Sequence, residues 1–422
     1  MRTKIILLVF LLISFGSYCQ TQSQGNLVIV GGGLESSNES VFNQLIALAG
    51  GPDKASFAII PSASGVAMQS LISFKKILIS YHVKPENIHP IEIAMVDDDS
   101  TVNVNESEWK DNANDPKLAA LVRSCSAVWF TGGDQIRTTK TLVRPDGTKT
   151  LVLEAVWDVF KSGGVIGGTS AGAAIMSNPM IGGGNSLSAL AHGVVTDYHG
   201  DDFPEDQGVM LLNGLGFFPA GIVDQHFNQR SRIGRLATVL LKEMPQFSKG
   251  FGVDENTALI YMGSSNLIRV AGASGVTILD ATNARITHVQ NLAHIEDLTL
   301  SFLEEGDSYD ITTGKISPAA GKRPTRGKEY YNVKCPGQAG VLSGHSSGLV
   351  DLMTIHLIDN KGTDVVNNIS FWEQNSGFQV TLRKIAGSEG YITTDHSQED
   401  KYTVVNIKMD ITPVQISINP LK

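Results

Sequence analysis

Residues 163–176 read Gly-Gly-Val-Ile-Gly-Gly-Thr-Ser-Ala-Gly-Ala-Ala-Ile-Met, a lone serine among glycines and alanines directly after a short apolar stretch. Val165-Ile166 predicts a buried strand, the small residues a sharp turn, and the run from Ala171 a helix. A side chain on the crest of such a turn stands at the sheet edge with a helix amino terminus beneath it, so Ser170 is a candidate nucleophile. Its small neighbours Gly168, Ala171, Gly172 and Ala173 let the turn close and let a substrate backbone approach. The same residues also suit a purely structural turn, and this stretch alone leaves both readings open.

Outward from this stretch, apolar runs ending in glycine recur. Leu27-Val-Ile-Val30 ends at Gly31-Gly-Gly33, and Ser56-Phe-Ala-Ile-Ile60 and Ala127-Val-Trp-Phe130 are further strand-like runs. Residues 40–49 and 69–81 carry helical patterns between them. This alternation predicts an α/β fold with a parallel sheet covered by helices on both faces, and in such sheets sites assemble at the carboxyl ends of the strands. The Gly31-Gly-Gly33 turn is not a dinucleotide fingerprint. The third glycine position falls on Ser36, and the nearest acid, Asp53, precedes the second strand. It reads as a plain strand-to-helix turn.

The chain has 422 residues, 42% hydrophobic and 18% charged, enough for two domains or more. A net charge of -9 excludes a protein that neutralises phosphates with a basic face, so no nucleic-acid partner is expected. Arg2 and Lys4, the apolar residues 5–15 and the exit Gly16-Ser-Tyr-Cys19 read as a cleaved export signal over residues 1–19. The protein is therefore expected to be secreted or periplasmic. A lipoprotein anchor on Cys19 is disfavoured by bulky Tyr18, which stands where a small residue is needed. No later segment is long and apolar enough to cross a membrane. Cys125 and Cys335 then remain, as one disulfide or two buried thiols, and no cysteine spacing suits zinc. Asn38 and Asn105 each begin an Asn-x-Ser sequon.

A serine nucleophile needs a base, and the base an orienting acceptor. His192, His199 and His226 are candidates. His226 stands out by its company, since residues 221–235 read as an apolar strand ending at the histidine and leading into a helix with Arg230, Arg232 and Arg235. Nearby cations favour the neutral imidazole. Asp254 and Glu255 follow another apolar stretch, and either could accept the Nδ1 proton.

Together these clusters resemble the cyanophycinases, serine peptidases related to the aspartyl dipeptidases. The resemblance rests on Phe130-Thr-Gly-Gly-Asp-Gln135, Gly167-Gly-Thr-Ser-Ala-Gly-Ala173, Asp224-Gln-His-Phe-x-x-Arg-x-Arg-x-x-Arg235 and Gly252-Val-Asp-Glu-Asn-Thr-Ala258, in the family's order. It extends to Glu305-Gly-Asp-Ser-Tyr-Asp310. It implies a class I glutamine-amidotransferase-like, flavodoxin-like catalytic domain over residues 25–325, and a homodimer. Ser170 matches the family's nucleophile, His226 its base and Glu255 its third triad member. Gln135, Asp224, Gln225, Arg230, Arg232 and Arg235 match positions that hold substrate. The implied substrate is cyanophycin, a poly-aspartate whose β-carboxyls carry arginine, hydrolysed to β-Asp-Arg dipeptides without metal or cofactor. Arginines would clamp the substrate's α-carboxylates while Asp224 receives its guanidinium groups. The oxyanion would sit on the N–H of Ala171 and one from the Gly133-Asp134 turn.

Beyond about residue 325 the text changes character. Residues 351–358, 368–372, 378–382, 402–409 and 414–418 are short and β-rich, which predicts a small all-β sandwich-like domain over residues 330–422. Two other functions compete with a cyanophycinase: an aspartyl or isoaspartyl dipeptidase-like peptidase that cleaves α- or β-aspartyl peptides without touching the polymer, and a secreted binding protein that holds cationic peptides without turnover.

Overall fold

The computed structural model describes residues 25–198, 203–334, 348–373, 375–394 and 399–420. The expected export signal, His199 and Cys335 lie outside these residues. The apolar runs β1 (Asn26–Val30), β2 (Phe57–Ile60), β3 (Ile88–Pro90), β4 (Ala127–Phe130) and β5 (Val165–Thr169) form a parallel sheet in the order β3-β2-β4-β5-β1. Successive side chains of a strand point to opposite faces. Leu27, Ile29, Val128 and Phe130 accordingly enter one core, and Val28, Val30, Ala127 and Trp129 the other. Helices α1 (Glu39–Leu48) and α2 (Ala67–Ser80) cover the second face, and α3 (Pro116–Ser124) and α5 (Leu151–Lys161) the first. The short α4 (Gln135–Leu142) follows the end of β4. Burial on both faces explains why these strands read as continuous apolar runs.

The strand order differs from the β2-β1-β3-β4-β5 order of a flavodoxin-type sheet. Here β1 ends the parallel run, and its outer edge is taken by an antiparallel strand. The chain beyond β5 supplies that strand by a long route through α6 (Ala171–Ala174), β6 (Met180–Gly184), α7 (Ser186–His192), β7 (Val194–Val195), β8 (Val209–Leu212), β9 (Ile222–Asp224), α8 (Ile233–Glu243) and β10 (Lys249–Val253). The strand itself is β11 (Thr257–Met262), and β12 (Leu267–Gly272) pairs on its far side.

A second sheet begins with β9 and β10 and continues through β13 (Gly275–Asp280) to the long β15 (Leu292–Glu304), against which the hairpin strand β14 (Arg285–Val289) folds back. Next come β16 (Ser308–Asp310), β17 (Ile316–Ser317) and β18 (Lys322–Pro324), then α9 (Leu349–Met353), β19 (Val365–Phe371), β20 (Ser376–Arg383), β21 (Glu389–Thr393) and β22 (Tyr402–Gln415). Among the described residues the C-terminal strands do not form a sandwich of their own. β22 pairs with β15, and β18, which precedes the expected boundary, pairs with β21 beyond it. The physical reason is the edge of β15, thirteen residues long, whose unpaired N–H and C=O groups need a partner strand. One core accordingly holds Leu236 and Leu240 of α8, Leu298 and Phe302 of β15, and Val404, Ile407 and Met409 of β22.

A buried charge pair fastens this junction. Lys322 and Asp307, side chains 1% and 0% exposed, meet at 2.9 Å, and Lys322 Nζ also donates to the Tyr402 carbonyl and the Thr403 hydroxyl. Residues 351–358, expected as a strand, are helical from Leu349 to Ile358. Their buried positions fall in the runs Leu352-Met353-Thr354 and Leu357-Ile358, instead of alternating. Cys125 is a buried free thiol, and no helix among the described residues is long and apolar enough to cross a membrane.

Candidate active site

Three strand ends and one glycine loop meet at the carboxyl edge of the parallel sheet. Ser170 follows β5 with φ 54° and ψ -110°, a conformation strained for any residue with a side chain. The surroundings enforce it. A Cβ on Gly168 would meet the Gly172 carbonyl oxygen at 2.5 Å, and one on Gly172 the Phe130 carbonyl oxygen at 2.5 Å, so only glycines let the turn close. The Ser170 N–H is held by the Val30 carbonyl at 3.0 Å, and its own carbonyl accepts from Ala173 and Ala174. The hydroxyl thus projects from the crest, as the sequence suggests.

His226 follows β9 and is also at positive φ, 47°. Its Nε2 lies 2.8 Å from Ser170 Oγ, and its Nδ1 lies 2.5 Å from Glu255 Oε1. Of the two acids, the structure brings Glu255 to the imidazole. Its main-chain N–H is fixed by the Gln229 side chain at 3.0 Å, while Asp254 turns inward. Burial chiefly pulls the His226 pKa below its ordinary value; Glu255 opposes this, and the Arg230 and Arg232 charges add to it. The arginines therefore act in the expected direction but behind desolvation. His192 packs edge-on against Trp372, ring centroids 5.9 Å apart, in a separate part of the molecule.

The Gly31-Gly-Gly33 stretch is more than a plain turn. The His226 imidazole lies against Gly32, where a Cβ would stand 2.1 Å from Cε1 and 2.4 Å from Nε2. The Gly31 carbonyl accepts the His226 N–H at 2.6 Å and the Gly32 carbonyl accepts the Asn256 N–H at 2.8 Å, tying the base to the turn that bears the acid. Asn38 Nδ2 donates to the Asn256 carbonyl at 2.8 Å, which commits that amide to the fold instead of to glycosylation. The signal that could have located this role is the glycine triplet itself, since only glycine leaves a flat surface for an imidazole.

Gly132 and Gly133 pass beside the nucleophile; a Cβ on Gly132 would lie 3.4 Å from Ser170 Cβ. The Asp134 N–H, expected to help bind an oxyanion, already donates to the Ala63 carbonyl at 2.9 Å, and the Asp134 side chain caps α4. Ala171, first residue of α6, and Gly133 are left as the donors of the expected set.

The residues expected to hold substrate divide into two groups. Asp224 and Arg235 are 1% and 3% exposed, and Arg235 grips both carboxylate oxygens, at 2.8 Å and 2.5 Å. The Gln225 N–H takes a further lone pair of Asp224. Asp224 therefore cannot receive a substrate guanidinium, because its neighbours already satisfy it. Arg232 is 8% exposed, donates to the Gln225 carbonyl at 2.6 Å, and has its pKa pushed down to about 10 by burial. Gln135 donates to the Gly182 carbonyl at 2.7 Å. Arg230 is exposed, and the buried Gln225 Oε1 has no hydrogen-bond partner among the described residues.

Chemically, a hydroxyl bonded to an imidazole that is bonded in turn to a carboxylate can act as a nucleophile with a base and an orienting acid. Among the described residues, no group of three or more His, Cys, Asp and Glu side chains is placed to hold a metal ion. The cavity of about 620 Å³ between α4, β8 and residues 147–149 is lined by none of the three side chains.

Comparison with known proteins converges on this region. The family model described as Peptidase family S51 matches residues 27–268. A cyanophycinase of Trichormus variabilis is 30% identical over 275 residues, covering 64% of this chain and 80% of its own. A cyanophycinase of Geminocystis herdmanii is 30% identical over 302 residues, covering 70% of this chain and 96% of its own. Among solved structures, a peptidase from an acI-B1 actinobacterium overlaps 69% of this chain and 99% of its own, with a TM-score of 0.46 and 20% identity.

Proposed function

This chain belongs to peptidase family S51, and on that premise we propose that it is an exported cyanophycinase acting through an acyl-enzyme on Ser170. The observation that carries the proposal is the continuous relay from Ser170 Oγ through His226 to Glu255, at 2.8 Å and 2.5 Å. In the proposed cycle His226 Nε2 takes the hydroxyl proton as Oγ attacks the scissile aspartyl carbonyl. Glu255 holds the Nδ1–H tautomer and stabilises the imidazolium that forms. The Ala171 and Gly133 N–H groups receive the oxyanion. His226 then returns the proton to the leaving amine, the acyl half of the cleaved bond remains as an ester on Ser170, and water activated by His226 releases it.

Substrate recognition follows from the charges that remain available. Arg230 is the exposed arginine of the cluster and is proposed to bind an α-carboxylate of the substrate. The buried Asp224–Arg235 pair is assigned to shaping the floor. The cleavage is proposed to proceed from a chain end, in a protein released from its leader at residues 1–19 and working as a homodimer.

The test is incubation of the purified mature chain with insoluble cyanophycin and detection of β-Asp-Arg by mass spectrometry. Release of dipeptide supports the proposal. Hydrolysis of soluble aspartyl dipeptides without attack on the polymer would replace it with a dipeptidase reading. Ser170→Ala should bind polymer while losing roughly three to six orders of magnitude in rate.

A further inference from the structure

Asp254 is a fully buried carboxylate, 0% exposed, immediately before the acid of the relay, and the mechanism above does not use it. It has no ion-pair partner among the described residues. Its Oδ1 accepts the main-chain N–H of Asn228 at 3.0 Å, two residues beyond His226. Its Oδ2 accepts the Ser274 hydroxyl at 2.7 Å, and its own N–H donates to the Gly275 carbonyl at 3.2 Å. The Ala273–Gly275 turn is attached on its other sides to the acid turn and the C-terminal sheet. The Ala273 N–H donates to the Asn256 carbonyl at 2.9 Å, the Ser274 N–H to Thr257 Oγ1 at 2.9 Å, and Lys401 Nζ, just before β22, to the Ala273 carbonyl at 2.6 Å.

We propose that Asp254 is a positioning residue that clamps the turn bearing His226 to the turn bearing Glu255, and so fixes the separation between base and acid. The inference rests on the serine–histidine–glutamate reading of the site. The strand ends beneath the two turns are joined by the Phe227 N–H to the Val253 carbonyl at 3.1 Å, and the Gln229 side chain reaches the Glu255 N–H at 3.0 Å, but Asp254 is the buried side chain that adds a bond from the acid turn to the chain just past the histidine. A buried carboxylate joined to one N–H and one O–H across two strand ends links them in a way that no surface contact could. The role needs a hydrogen-bond acceptor on the Asn228 side and a polar group on the Ser274 side, and it does not need charge. Asparagine can supply both, accepting with Oδ1 and donating with Nδ2 to a hydroxyl that can itself accept.

The experiment compares Asp254→Ala, Asp254→Asn and wild type by steady-state kinetics on cyanophycin and by proton NMR of the Nδ1–H shared by His226 and Glu255. Asp254→Ala should lower kcat about 10- to 100-fold, with KM changed by no more than about twofold, because the relay is misplaced while substrate contacts stay. Its far-downfield Nδ1–H signal should move or broaden away. Asp254→Asn should restore both the signal and kcat to within about fivefold of wild type. A residue that only stabilised the fold would lower the melting temperature and leave the kcat of the folded variant and the NMR signal unchanged, and that result overturns the proposal. It is also overturned if the asparagine variant falls as far as alanine, since charge would then be the requirement. Should Asp254→Ala fail to fold, the asparagine variant and a Ser274→Ala variant decide alone: a normal signal and kcat in Ser274→Ala overturn the clamp. Absence of the signal from the folded wild type would instead defeat the reading of the relay itself.

Discussion

Replacing Gly32 by alanine tests whether the glycine loop is part of the catalytic geometry. The new methyl carbon would stand 2.1 Å from His226 Cε1, 2.4 Å from Nε2 and 2.7 Å from Nδ1. Ordinary carbon contacts begin near 3.5 Å, so the ring must retreat by more than about 1 Å. Nε2 now lies 2.8 Å from Ser170 Oγ. A retreat of that size stretches the contact beyond about 3.5 Å, where it no longer counts as a hydrogen bond. A displacement of about 1 Å is worth about 10²-fold in rate, and full loss of the base up to about 10⁴-fold or more. The expected fall in kcat is therefore between these limits, with binding of polymer unchanged. The assay is the initial rate of β-Asp-Arg release from cyanophycin, with co-sedimentation on the insoluble polymer measuring binding. Gly32 also sits at φ 111°, so alanine adds backbone strain of about 1–3 kcal/mol. Gly51→Ala is the control for strain alone, since Gly51 has φ 83° and a Cβ there would meet nothing within 4 Å. Near-normal kcat in a folded Gly32→Ala protein would refute the claim that the imidazole rests on this loop.

Glu255→Gln should leave the fold intact and lower kcat by about 10⁴-fold, because the amide favours the wrong imidazole tautomer; pre-steady-state acylation rates would show the loss in the chemical step. Since burial lowers the His226 pKa, the acid limb of kcat/KM should have its midpoint below about 6.5, activity falling as pH drops through it; a midpoint above that value contradicts the buried base. Asp224→Ala leaves the Arg235 charge buried and unpaired, which should cost about 3–5 kcal/mol in a denaturation experiment; a stable variant with only a raised KM would return Asp224 to the substrate site. Asp254 ionises near pH 6 in the fold against an ordinary value of 3.8, chiefly because it is buried, so the native state holds its proton more tightly than the unfolded chain. Its contribution to stability is full below 3.8 and is lost as pH rises through about 6, a difference of about 3 kcal/mol. Asp254→Asn should therefore raise the melting temperature at pH 8 and leave it nearly unchanged at pH 4.

The parts of the molecule legible in the sequence are those whose residues satisfy one strong local demand. The strands β1, β2, β4 and β5 are continuous apolar runs because both their faces are buried, and Ser170 stands out because a sharp crest tolerates only small neighbours. Glu255 could not be separated from Asp254 by composition, since the choice is made by the Gln229 amide and the Asn228 N–H, which come from another strand end. Asp224 and Arg235 looked like opposite ends of a zwitterionic ligand, whereas α8 places them eleven residues apart in sequence and in contact in space. Pairing between distant ions leaves no local trace. The same holds for β22, whose alternation specifies a half-buried strand but not the neighbour that buries it.

The position of β22 bears on what the C-terminal segment does for a hydrolase. The family match ends at residue 268, within β12, yet β13 and β15 still carry the turn behind Asp254 and the edge on which β22 lies. Gly275, which accepts the Asp254 N–H, is paired with Glu304, and Glu304 accepts the Tyr402 N–H. The Lys322–Asp307 pair closes the same junction with both charges out of water, an arrangement that becomes costly when either partner is removed. A detachable binding module would show the reverse: a polar linker, its own core and few contacts across the boundary. Here the core formed by α8 and β15 includes side chains of β22, so removing residues 330–422 would expose Leu298, Leu300 and Phe302 along an unpaired edge. The segment is thereby placed with the scaffold that holds base and acid at their spacing.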